Sequence, residues 1–224
     1  MKQLAIIGSM VAGALILSTV LVVGHDKLSG APSTPSGIAP PWQVELLPQQ
    51  HTRALGITLG PQGDTLADVQ RIWGANVEVA LIAAPGENGA IEAFIDPAQA
   101  GGINGKLIVA LQTTPQEVKA MRERALTADF MESTTRKYKL APADLQAAAA
   151  LKVSALTFIP QAKLDEQAVI DRFGPTPQRR RAGEGTEHFL YPDKGLDVGL
   201  NPKGKDVLQY VAPADFAKLS APLK

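Results

Sequence analysis

Any chemistry in this chain has to come from few residues. His25, His51 and His188 are its three histidines, and it has no cysteine. The missing thiol removes disulfides, thiolate zinc sites, cysteine nucleophiles and a lipid-modified cysteine behind a signal peptide. An imidazole acts as a general base only with a carboxylate or nucleophile beside it. His188 precedes Phe189, Leu190 and Tyr191 and reads as a surface or strand-end side chain, while His25 and His51 fall in expected loops. Three scattered histidines form no ligand set, so neither a metal nor a cofactor is expected. Asp64 and Asp68 lie one turn apart at a helix start. The helix dipole favours acidic side chains there, so they read as caps rather than as a calcium or acid pair. No Gly-x-Ser-x-Gly elbow occurs, and the glycine cluster at 100–105 lacks the spacing of a phosphate cradle and reads as a hairpin loop. The expectation is therefore a protein that is not an enzyme.

Arg179, Arg180 and Arg181 form the densest positive run. In a strand, two of them point to one face and one to the other. Such a run can grip an acidic partner surface or blunt an exposed sheet edge. The three arginines are the partner-contact candidates of the chain. Nucleic acid is not an expected partner, because Lys plus Arg equals Asp plus Glu at 22 each and no net field attracts phosphate.

Leu4 to Val23 is a run of twenty residues without a charge. At about 1.5 Å per residue it matches a hydrocarbon core roughly 30 Å thick. It is longer than the apolar core of a signal peptide, and the small-residue site at Ser29 to Ala31 lies behind His25, Asp26 and Lys27. The reading is an uncleaved anchor, with cleavage as the alternative. It places the chain in a bacterial inner membrane as a single-pass protein, bound to lipid through this segment, with its domain in the periplasm. Gly8 and Ala12, and Ser9 and Gly13, have the four-residue spacing of small residues that lets membrane helices approach.

Residues 1–27 are thus the expected anchor and 28–41, rich in Pro, Ser and Gly, a flexible linker. The remainder divides into a first unit at 42–112, a helical connection at 113–151 and a second unit at 152–224. The division rests on an internal repeat, since Leu55 to Gly74 and Ala155 to Gly174 superpose at an offset of 100 residues. Each copy reads as a short strand, a polar turn and a helix capped by Asp64 or Thr65, or by Asp165, that stops at a glycine. Strand-like alternation with Gly, Pro or Asn turns follows each helix. Thr114, Pro115 and Glu117 predict a capped helix in the connection. The fold class expected is α+β: a transmembrane helix followed by two related units, each a helix on a small antiparallel sheet.

Residues 155–211 resemble the SmpA/BamE-type domains of the outer-membrane barrel-assembly machine. Phe173, Gly174 and Pro175 match the turn that ends the family's helix, and Phe189, Leu190 and Tyr191 match its aromatic strand. A weaker copy at 55–111 keeps Trp73 and Gly74 without the following proline. The chain departs from the family in having no lipidated cysteine and in carrying two units. The resemblance implies a non-enzymatic envelope protein that works by contact with other proteins in or near the same membrane. The alternative is a module that binds a small ligand or peptide in the groove between the units.

Overall fold

The computed structural model describes residues 42–223 apart from 75, 76, 132, 133 and 184. The expected membrane span, the linker, His25 and the small residues Gly8, Ser9, Ala12 and Gly13 lie outside these residues. Among the described residues no helix is long and apolar enough to cross a membrane.

Helices start where side chains satisfy the free backbone N–H groups of the first turn. In α1 (Leu66–Trp73) the Thr65 hydroxyl accepts the Asp68 N–H and the Asp68 carboxylate accepts the Thr65 N–H. In α2 (Pro115–Glu123) Thr114 and Glu117 form the same reciprocal cap, with Pro115 in the first turn. After α3 (Pro142–Ala148), α4 (Glu166–Phe173) is capped by Asp165, whose carboxylate accepts the Ala168 N–H. The last helix, α5 (Phe216–Ser220), is short. Asp64 is not the cap of α1; its carboxylate accepts the Thr58 N–H. Gly74 and Gly174 end α1 and α4 at φ of 92° and 85°, with ψ of 174° and 176°. The positive φ favours glycine, and the extended ψ makes an open exit rather than a left-handed cap.

The first three strands, β1 (Val44–Leu47), β2 (His51–Ala54) and β3 (Ile57–Leu59), form a small antiparallel sheet. The others are β4 (Glu78–Ala83), β5 (Ala90–Ala100), β6 (Ile103–Leu111), β7 (Thr127–Phe130), β8 (Arg136–Lys139), β9 (Val153–Pro160), β10 (Gln178–Ala182), β11 (Thr186–Tyr191), β12 (Leu196–Leu200) and β13 (Val207–Val211). These form one ten-stranded antiparallel sheet in the order β10-β11-β12-β13-β9-β6-β5-β4-β8-β7.

This overturns the expected α+β class. The described protein is mostly antiparallel sheet, with five short helices among the described residues. The two segments do not each carry a small sheet. The reason lies in β9, which the sequence places at the start of a second unit. Its residues from Leu156 to Pro160 are all buried, as an interior strand requires, and an interior strand needs a neighbour on each side. It pairs with β13 on one side and β6 on the other, so the strands that follow α1 and those that follow α4 fuse across it. The repeat is real in the helices and their caps but not in the strand pairing, since Ile57–Leu59 lies in the small sheet.

One hydrophobic core lies on the inner face of the large sheet. Leu81, Ile91, Leu107, Leu156, Phe158 and Leu208 meet Leu66 and Val69 of α1, Val169 and Phe173 of α4, and Leu55, Ile57 and Leu59 of the small sheet. Each such large side chain, fully buried, contributes about 1.5–3 kcal/mol. Trp42 enters this core edge-on to Phe173, with ring centroids 5.5 Å apart. The buried Tyr210 hydroxyl donates to the Trp42 carbonyl at 3.0 Å. The β5–β6 turn closes over the indole, and a Cβ on Gly101 would lie 2.7 Å from Trp42 Cδ1.

Candidate functional site

Alternation along each strand divides the sheet into an apolar inner face and an outer face that carries titratable groups. On the outer face His188 of β11 lies opposite Gly199 of β12, one step diagonally from Asp197. The ring lies beside Gly199: a Cβ there would stand 3.4 Å from His188 Cε1, an ordinary van der Waals contact. The Nδ1 is 3.0 and 2.9 Å from the two Asp197 carboxylate oxygens, and both residues are buried. Burial raises the Asp197 carboxyl above the usual carboxylate range, and the hydrogen bond from His188 opposes the rise. The strand-end histidine of the sequence reading is thus an interior one, with a carboxylate nine residues away. A hairpin diagonal is a cross-strand contact, and only the register reveals it.

The pair orients an imidazole as a general base would need. Among the described residues, the hydrogen bonds of the ring run to the Asp197 carboxylate, and no serine, threonine or lysine side chain bonds to it. No group of three or more His, Asp or Glu side chains able to hold a metal occurs among the described residues. The His51 ring donates from Nδ1 to the Pro48 carbonyl and accepts the Gln62 N–H at Nε2. It pins a turn.

Glu92 of β5 also points to the outer face, between Ala80 and Ala110 on the neighbouring strands. It is 2% exposed and its Oε2 has no hydrogen-bond partner. Burial alone pushes its carboxyl up to about 8, because the charged form would lose its water without gaining a cation.

The arginine run occupies β10, an outermost strand. Arg179 and Arg181 share one face and Arg180 takes the other. Arg179 pairs with Glu166 and Glu187 and lies over the Phe189 ring at 4.6 Å. Arg180 donates to the Leu223 carbonyl at 3.0 Å, tying β10 to the C-terminal segment. That segment packs Phe216, Leu219 and Leu223 over Leu190 and Val211. Arg181 lines a wide, open cleft of about 530 Å³ with Lys163, Glu187 and Asp206. Two of the three partner-contact candidates are therefore engaged within the chain.

The other outermost strand differs. All four residues of β7 are exposed. Phe130 is 67% and Leu126 56% exposed, the two most exposed large apolar side chains among the described residues. Ala128 and Phe130 share one face of the strand, with Arg136 over the Phe130 ring at 4.4 Å, and Leu126 lies in the bend before it, its N–H donating to the Lys139 carbonyl. The sequence reading missed this edge; TADF carries no strong strand signal, and its neighbour β8 supplies the pairing.

No family model, no curated protein and no solved structure matches the chain.

Proposed function

We propose that this chain is a membrane-anchored cell-envelope protein that works by contact with other proteins, as an accessory to an assembly, with its apolar N-terminal stretch holding it at the membrane. The observation that carries the reading is β7: an outermost strand, exposed along its length, that presents Phe130 to solvent, with the exposed Leu126 in the bend just before it. A bare edge of this kind offers unpaired N–H and C=O groups to an added strand. Isolated proteins usually protect such edges, so a bare one fits a surface that is covered in use. The resemblance of residues 155–211 to SmpA/BamE-type domains supports the same class of role.

The test is affinity purification of the full chain from detergent-solubilised membranes, alongside a Leu126→Ser/Phe130→Ser variant. The expected result is a stable protein partner recovered with the parent chain and reduced at least tenfold with the variant. Recovery of no stable partner with the parent chain would sink the reading.

A further inference from the structure

A row of mostly small side chains crosses the outer face of the large sheet. Ala80 of β4, Glu92 of β5, Ala110 of β6, Ala155 of β9 and Val211 of β13 stand directly opposite one another, strand to strand. Four strand spacings of about 4.8 Å make the row about 19 Å long. Beside it, in the next register, Phe94, Ile108, Thr157 and Gln209 form a row of longer side chains. The result is a shallow furrow at right angles to the strands, floored by alanine, with the Glu92 carboxyl rising from it.

This face is sealed, and the described elements account for the two ends of the seal only. Glu92 is 2%, Gln209 4%, Thr157 5% and Ile108 8% exposed. At one end α5 and the residues after it cover Leu190 and Val211, with Ala155 against them. At the other end Met131 packs on Ala80 and Ile82. Between these patches Ile108 is buried yet belongs to none of the apolar clusters of the described residues. Glu92 Oε2 is buried beside it without a hydrogen-bond partner. Side chains on one face of a sheet reach such burial when another layer lies on them. Outside the described residues the chain has one stretch long enough to be that layer, residues 1–41.

We propose that the furrow seats the chain's own apolar stretch, Leu4 to Val23, as a helix lying across the strands whenever that stretch is not in a bilayer. This goes beyond the contact role and gives the stretch a second place besides lipid. A helix of this length spans about 30 Å, enough to cross the furrow and run past both ends. The stretch carries no charge, which suits a strip whose acid, Glu92, has no cation beside it. Gly8, Ala12, Ser9 and Gly13 let a helix approach an alanine floor as closely as they would let it approach another helix. The hydroxyls of Ser9, Ser18 and Thr19 supply the kind of partner that the Glu92 carboxyl lacks. The reach is right as well. Trp42 lies against Gly101 in the β5–β6 turn, and Glu92 is about 26 Å along β5 from that turn at about 3.3 Å per residue. As a random coil, residues 24–41 would span about 24 Å, and more when drawn out.

A disulfide scan tests this, because the chain has no cysteine of its own. Full-length chains with Ile108→Cys and a second cysteine at one position from Leu4 to Val23 at a time would be oxidised in dilute solution, without lipid and then with phosphatidylcholine vesicles. Disulfides form only where Cα atoms come within about 7 Å. Without lipid the expected result is within-chain disulfides at positions three to four residues apart, the spacing of one helix face, at least tenfold above the positions between them. A chain with unchanged circular dichroism that cross-links at no position, equally at all positions, or only to another copy would overturn the proposal. Thr157→Cys, directly opposite Ile108, repeats the scan if Ile108→Cys does not fold. Vesicles are expected to abolish the disulfides by drawing the stretch into the bilayer. Disulfides that persist with vesicles would leave the furrow filled and sink the membrane anchorage of the function proposed above.

Discussion

The two outermost strands of the large sheet solve the same physical problem in opposite ways. β10 ends the sheet with three consecutive arginines, of which one is paired to Glu166 and Glu187 and another bound to the C-terminal carbonyls. β7 ends it with Ala128 and Phe130 exposed, and among the described residues it pairs only with β8. Charge at an edge raises the cost of adding a strand, and an apolar edge lowers it. The difference teaches that two equally exposed edges can carry opposite surfaces, one charged and tied to neighbouring elements, the other with an aromatic side chain in water.

The largest expected effect lies between the two edges and sets the scale for both. Glu92, three strands in from β7, is held protonated in the fold to about pH 8, whereas in the unfolded chain it ionises near its ordinary value of 4.5. Between those values the unfolded state binds fewer protons than the native state, so stability falls as pH rises through this window and levels off above it. The integrated loss is on the order of 5 kcal/mol. Glu92→Gln should remove the slope and raise stability at pH 8 by several kcal/mol, read from urea denaturation at pH 4.5, 6 and 8. An unchanged slope would show that the carboxyl is not held protonated, and altered behaviour at either edge would show that the edges depend on the centre.

At the closed edge, Phe216→Ala should cost about 3 kcal/mol, because it empties the apolar contact that holds the C-terminal segment over Leu190 and Val211. A loss below about 1 kcal/mol in urea denaturation would mean that the segment is not closing the edge. Arg180→Ala removes a charge-assisted bond to the Leu223 carbonyl and should cost about 1 kcal/mol. The smallest effect belongs to the open edge. Ala128→Pro loses a donor that faces outward, as edge positions tolerate, so the stability of the single chain should change by less than about 1 kcal/mol. A larger loss would mean that Ala128 donates within the chain, and the contrast between the edges would collapse.

Local signals are legible in the sequence. Thr114 with Glu117, and Asp165 three residues before Ala168, announce helix starts through side-chain hydrogen bonds that depend only on near neighbours. The hairpin at 100–105 follows from glycine. Pairing partners were not readable. β9 looks like the first strand of a unit because its own residues say that it is a strand and nothing about who sits beside it. His188 illustrates the same limit at the scale of one contact, since its carboxylate lies across a hairpin and its burial depends on the whole outer face. The arginine run drew attention to β10 by composition, and the barer edge at β7, with four ordinary residues, drew none.

The bond from Tyr210 to the Trp42 carbonyl joins positions 168 residues apart, at the point where the chain leaves the expected tether. A force applied at residue 42 meets a buried aromatic cluster rather than a strand at the rim. The load is then shared at once between the first and last parts of the fold. Pulling from residue 42 should give one abrupt rupture, not a gradual unzipping, and a stepwise trace in single-molecule stretching would show the anchorage to be shallower than this.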